Sequence, residues 1–195
     1  MSDSIPAVKR ALEAGNRRTD IELVFPIIVP RSYFAHRNWP GPYAVIRFAS
    51  LAMTWTILHP EQTMVYVNHD RAAVWEQEGV AWREQAHVNL QRASAGSLWT
   101  HEKRADDGRL LWAAMMHSDG LGSSRLVLRA ELAAALNGDY RIGIPDRSCG
   151  IVIPVTSGEA NMAEVAALVR NMYTGATTPM MSELLSPDDL ETIDS

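Results

Sequence analysis

The apolar positions change period several times along the chain, and each change marks an element. Ala7 to Ala14 carries Val8, Ala11 and Leu12 on one helical stripe, opened at Ser4 and Pro6 and ended by Gly15. Ile21 to Val29 is apolar and β-rich, but Pro26 and Pro30 restrict it to an edge strand or a turn. After Pro40-Gly41-Pro42, strands are expected over Tyr43 to Phe48, Ala52 to Leu58 and Thr63 to Val67. The turn His59-Pro60-Glu61-Gln62 makes an antiparallel meander the economical arrangement of these strands.

Helical spacing then takes over. Asp70 to Gly79 reads as a short helix, and Ala81 to Ala93 as a second whose stripe is Trp82, Gln85, Ala86, Asn89, Leu90 and Ala93. Asn89 is a polar amide on an apolar face and must find partners. Tying down a neighbouring loop backbone is the expected role, and pointing into a pocket the alternative. His87 falls off the stripe and is expected at the surface. Ser97 to Arg104 and Leu110 to His117 flank Asp107-Gly108, a strong hairpin signal that sets Ala114 opposite His101.

The segment from Asp119 to Val155 carries the most local information. A glycine-rich entry leads to a helix with Leu128, Leu132 and Leu136 on one ridge, capped by Ser123 or Ser124 and stopped by Asn137-Gly138. Tyr140, Ile142 and Ile144 alternate with Arg141 and Gly143 as a half-buried strand does. A Pro145 to Cys149 turn leads into Ile151, Ile153 and Val155. A last helix, Gly158 to Tyr173, is expected with Ser157 as cap and a face of Met162, Val165, Ala166, Val169, Met172 and Tyr173.

Together these elements predict one α+β domain over residues 1–181. Its sheet is expected to be mostly antiparallel, with about six or seven strands and helices packed mainly on one face. Residues 182–195 read as an acidic, flexible tail.

Composition narrows the function classes. The chain has 195 residues, 47% apolar and 21% charged, with a formal net charge of −5. That balance offers no basic field for nucleic acid, and no run is apolar enough for a membrane span. The amino terminus lacks the apolar core of a secretory signal, so a reducing cytoplasm is the expected location. The single cysteine, Cys149, next to Gly150, is expected to be a small buried hydrophobe. The six histidines form no paired metal-ligating set, and no nucleophile elbow or complete phosphate loop is present. No catalytic residue, metal or cofactor is therefore assigned.

One polar constellation invites a ligand. Gly122, Ser123, Ser124 and Arg125 lie between a strand and a helix, where amides and a guanidinium can clamp a phosphate or carboxylate. Asp146 and Arg147 at the following turn are the residues to look for beside them. The structural alternative is a serine cap, a tight glycine turn, and Arg147 solvated or paired to Asp119 or Asp146. The six tryptophans add a second theme: Trp82 faces a core, while a leftover exposed pair, Trp39 with Trp75, would mark a protein contact surface.

Several strings carry a family resemblance: Trp75 to Gly79, AHVNL at Ala86 to Leu90, SSRLVL at Ser123 to Leu128, and GDYRIGIPDR at Gly138 to Arg147 before an apolar strand. Across residues 75–154 the order of these signals resembles the bacterial family catalogued as domain-of-unknown-function 1444. The resemblance implies a mixed α+β fold in a soluble bacterial protein, and no reaction. The leading functional expectation is a non-catalytic module that binds a protein partner or self-associates. The alternative is a small enzyme or ligand-binding protein taking a small anionic molecule at Gly122 to Arg125.

Overall fold

The computed structural model describes residues 20–35, 39–59 and 63–193. The helix expected over 7–14 and the turn residues 60–62 lie outside them.

The first sheet contains β1 (Val24–Pro30), β2 (Tyr43–Val45), β3 (Leu51–Leu58) and β4 (Met64–Tyr66). β1 runs antiparallel to β3 from Val24 opposite Ile57 to Pro30 opposite Leu51. The Leu58 amide donates to the Leu23 carbonyl and the Arg31 amide to the Ser50 carbonyl. Odd-numbered residues of β1 therefore face the ladder, and Pro26 and Pro30 turn their missing N–H outward, which is how an edge strand tolerates both. β2 pairs with Ala52–Thr54 and β4 with Thr56–Leu58. Since β1 fills one side of β3, β2 and β4 share the other. The expected meander does not form.

The second sheet has the order β5-β6-β8-β7-β9, from β5 (His101–Arg104), β6 (Leu110–Met115), β7 (Tyr140–Asp146), β8 (Cys149–Pro154) and β9 (Leu184–Leu185). All its pairings are antiparallel, and His101 lies opposite Ala114 as the hairpin reading required. The α+β class holds, but the strands divide into two sheets where one was expected. Alternation fixes which way a strand faces; it does not fix its neighbours.

Among the described residues four helices pack on these sheets: α1 (His69–Gln77), α2 (Trp82–Ser94), α3 (Arg129–Leu136) and α4 (Glu159–Gly175). They are not gathered on one face. Trp75, Trp82 and Ala86 of α1 and α2 pack with Val24, Trp55 and Ile57 of the first sheet. Val165 and Val169 of α4 cover Ile151 and Ile153 on one face of the second sheet. The opposite face, with Ala113, Met115, Ile142 and Val152, meets Leu132 and Leu136 of α3, Ile28 and Leu51 of the first sheet, and Ile46 just past β2. β7 is thus covered on both faces rather than half-buried. Gly143 makes this possible, because a Cβ there would stand 2.6 Å from a Val169 methyl.

The segment expected as a loose tail is built into the fold through residue 193. β9 adds to the second sheet, Ser186 forms a capping box at the short turn Pro187–Leu190, and Thr192 makes an isolated bridge to Ile46, the residue after β2. Neither serine expected to cap a following helix does so. Leu128 stands at the N-cap of α3 and Gly158 at that of α4, neither making a side-chain cap, while Ser157 donates to the Leu111 carbonyl at 2.8 Å. Asn137 does take the left-handed conformation expected of the stop, at φ 56°.

Candidate functional site

The residues singled out in sequence do come together, as a packed knot. Ser123–Val127 is a 3-10 turn lying against the Asp146–Ser148 corner. A Cβ on Gly122 would fall 2.0 Å from the Ser148 carbonyl oxygen and 2.2 Å from that of Met115. The glycine is there for backbone to touch backbone. Ser123 Oγ donates to the Arg147 carbonyl, and Ser124 Oγ is buried without a hydrogen-bond partner among the described residues.

Arg125 is only 1% exposed, and its fork is already filled by Asp119: Nη1 to Oδ1 is 3.0 Å and Nη2 to Oδ2 is 2.6 Å. Burial pushes the Asp119 carboxyl up, but the Arg125 contacts and the Leu121 amide outweigh it and hold it below the usual range. Burial, with the Arg125 charge added, lowers the neighbouring His117 imidazole; its Nε2 lies 3.3 Å from the Leu98 carbonyl oxygen. The guanidinium meant for an anion therefore holds an internal carboxylate. Asp146 accepts from the Ser148 hydroxyl at 2.6 Å and from the Ser148 and Thr178 amides at 2.8 and 2.9 Å, and these bonds outweigh burial to lower its carboxyl. Arg147 pairs with neither Asp119 nor Asp146. Its Nη1 reaches the Met64 sulfur at 3.1 Å.

Asn89 plays the structural role expected of it. Its amide donates to the Ile21 and Val24 carbonyls at 2.8 and 2.9 Å, fastening α2 across the outer edge of β1. His87 of the same helix is half-buried and lines a cleft rather than standing at the open surface. Cys149 is 2% exposed, as expected of a small apolar group.

A surface that sequence reasoning missed arises from the strand order. Tyr43 lies opposite Thr54 and Tyr66 opposite Thr56, so the two tyrosines project from the same face, side by side along β3. Phe34, from the 3-10 turn Arg31–Ala35, and Trp39 fill the space between them. The ring centroids run Tyr43–Phe34 at 4.2 Å, Phe34–Trp39 at 4.6 Å and Trp39–Tyr66 at 4.8 Å. Tyr43 is 48% exposed and the other rings are half-buried. Trp75, expected as the exposed companion of Trp39, is fully buried. Arg147 lies near the Tyr66 end of this row. Burial raises the Tyr66 phenol while Arg147 pulls it down.

A cleft of about 810 Å³ opens on the other face of the first sheet. Ala44, Met53 and Trp55 contribute to its floor, Arg83, Glu84 and His87 of α2 to one wall, and Arg129 and Glu191 to the other. Arg83 stacks over Trp82 at 4.2 Å and holds Glu76 at 2.9 Å. Among the described residues no group of three His, Cys, Asp or Glu side chains is arranged to hold a metal ion, and no helix is long and apolar enough to cross a membrane. No protein-family model, curated protein or solved structure matches the chain.

Proposed function

We propose that this protein works by binding an acidic segment of a protein partner on the row Tyr43–Phe34–Trp39–Tyr66. The observation that carries the reading is the continuous contact of these rings at a partly exposed surface. Rings locked against one another lose little freedom when a partner arrives, and Tyr, Trp and Arg are the side chains that dominate binding energy at protein interfaces. The acidic character of the partner follows from Arg147. Its guanidinium sits beside Met64 and Tyr66 and makes no ion pair among the described residues, the Asp146 carboxyl feeling its charge only from beyond contact. A cytoplasmic location and kinship with the bacterial family named above belong to the same proposal. The anion seat at Gly122 to Arg125 is the weaker reading, because Asp119 occupies the fork.

Selection from a displayed random-peptide library on the intact protein tests this. Enriched peptides are expected to combine acidic with aromatic or aliphatic residues and to lose about tenfold or more in affinity to Trp39→Ala, the scale of one interface anchor. Arg147→Glu should weaken the acidic peptides specifically. Peptides that bind wild type and Trp39→Ala equally overturn the assignment. So does a concentration-dependent dimer abolished by Trp39→Ala, which would give the row to a second copy of the chain.

A further inference from the structure

We propose that the cleft between α2 and the C-terminal segment is a separate ligand site for a small carboxylate bearing an apolar ring. In this proposal Glu191 occupies the carboxylate position when no ligand is present. The cleft volume of about 810 Å³ falls within the range of small-molecule sites, and its floor is apolar, from Ala44, Met53 and the little of Trp55 that shows. A carboxylate already sits at its rim. Glu191 Oε1 lies 2.6 Å from Arg129 Nη1, and Oε2 lies 2.5 Å from Arg47 Nη2. The chain itself thus shows what chemistry the two guanidiniums accept.

That internal carboxylate is displaceable. The side chains of Arg47, Arg129 and Glu191 are 60%, 37% and 38% exposed, and solvent-facing pairs of this kind are individually weak. The segment carrying Glu191 does not depend on them. Leu190 is buried, the Glu191 carbonyl accepts from the Arg47 amide, and the Ile193 amide donates to the Val45 carbonyl, both at 2.8 Å. Asp188 also holds Arg129, so a ligand meets a guanidinium that is already oriented. The opposite wall fixes the direction of binding. Glu84 on α2 repels a carboxylate and Arg83 beside it is already paired to Glu76, so the acid group points to Arg129 and the ring lies over Met53 toward Trp55. The site shares Tyr43 with the aromatic row at its rim and is otherwise independent of it.

Titration of the full-length protein with naphthylacetate and with naphthylethanol, its neutral counterpart, followed by calorimetry, separates the outcomes. The acid is expected to bind Glu191→Gln about fivefold more tightly than wild type, the scale of removing the two weak, exposed ion pairs that Glu191 makes with Arg129 and Arg47. The alcohol should bind that variant at least about tenfold more weakly than the acid does. Arg129→Met should bring the acid most of the way down to the level of the alcohol, leaving only the more exposed Arg47; if circular dichroism shows that variant unfolded, Arg129→Lys takes its place and should weaken the acid in the same direction. Equal affinity of acid and alcohol for Glu191→Gln overturns the proposal. So does the absence of binding to that variant at millimolar probe, or tight acid binding that survives loss of Arg129.

Discussion

Arg125 and Asp119 are held fork to carboxylate, with the guanidinium 1% exposed and the carboxylate side chain 27% exposed. The unequal burial makes the two partners unequal under mutation. Asp119→Ala strands a cation with no route to water, a loss expected to cost about 3–5 kcal/mol. Arg125→Met leaves a carboxylate that still touches solvent and replaces the arginine stem with apolar volume, so the cost should be about 1–2 kcal/mol. Urea unfolding of both variants checks the order. A larger loss for Arg125→Met would mean that the arginine acts through its other contact, the Ala93 carbonyl at 3.5 Å, or through packing.

The same corner should give the fold an acid response in two separate windows. Burial, then the Arg125 charge, depress the His117 imidazole, so the folded state favours its neutral form. Its contribution is complete above the unfolded value of about 6.5 and declines as pH falls toward the lower folded value. His117→Gln should remove that part of the slope. The Asp119 carboxyl is also held low, so its contribution is complete above about 3.9 and is lost only as pH falls through the depressed folded value. Asp119→Ala should therefore flatten the profile in the more acidic window and, because the Asp119 charge supports the His117 imidazolium, steepen it in the upper one. Urea midpoints collected across both windows decide the matter; a wild-type slope near pH 6 unchanged in His117→Gln would remove the imidazole from the account.

Two buried glycines should differ in how badly they accept a methyl group. At Gly122 the added Cβ meets two carbonyl oxygens at 2.0 and 2.2 Å, and backbone on two separate segments must move apart. At Gly143 it meets the Val169 methyl at 2.6 Å, which can yield through small shifts of α4. Gly122→Ala is expected to cost about 3 kcal/mol or more, and Gly143→Ala about 1–2 kcal/mol. Thermal unfolding of the two variants measures the difference, and equal melting temperatures would show that the Ser148 corner is softer than its contacts imply.

The parts of this fold legible in sequence are those set by local chemistry. The β5–β6 register, the Asn137 stop, the outward prolines of β1 and the need of the Asn89 amide for backbone partners each follow from a residue and its immediate neighbours. What was not legible depends on partners far along the chain. The meander seemed economical because β2, β3 and β4 follow one another, yet the earlier β1 claims one side of β3 and forces β2 and β4 together. Trp39, Tyr43 and Tyr66 meet only because of that. Likewise the serines before α3 look like caps until the Arg147 carbonyl takes one of them. Arg125 looks like an anion clamp until Asp119, six residues earlier, proves to be the anion. The acidic tail looked flexible by composition, but buried Leu190 and the backbone bonds of Glu191 to Arg47 and of Ile193 to Val45 anchor it.

Cys149 offers a direct reading of how tightly the β7–β8 corner is closed. Burial, with a smaller contribution from Asp146, pushes its thiol up to about 12, and the side chain is 2% exposed. The thiolate is the reacting species, so alkylation of the native protein near neutral pH should proceed only through opening of the structure. Iodoacetamide labelling is therefore expected to be slow in buffer, fast in denaturant, and faster in Asp119→Ala than in wild type by the factor its stability loss dictates, where opening is globally coupled. Replacement separates packing from polarity at the same position. Cys149→Ala removes one atom and should cost about 1 kcal/mol, whereas Cys149→Ser buries a hydroxyl in an apolar cluster with Ile151 and Val165 and should cost about 1–3 kcal/mol. Native labelling as fast as that of an unstructured thiol would show that the corner opens on its own, and the serine variant would then be no less stable than the alanine.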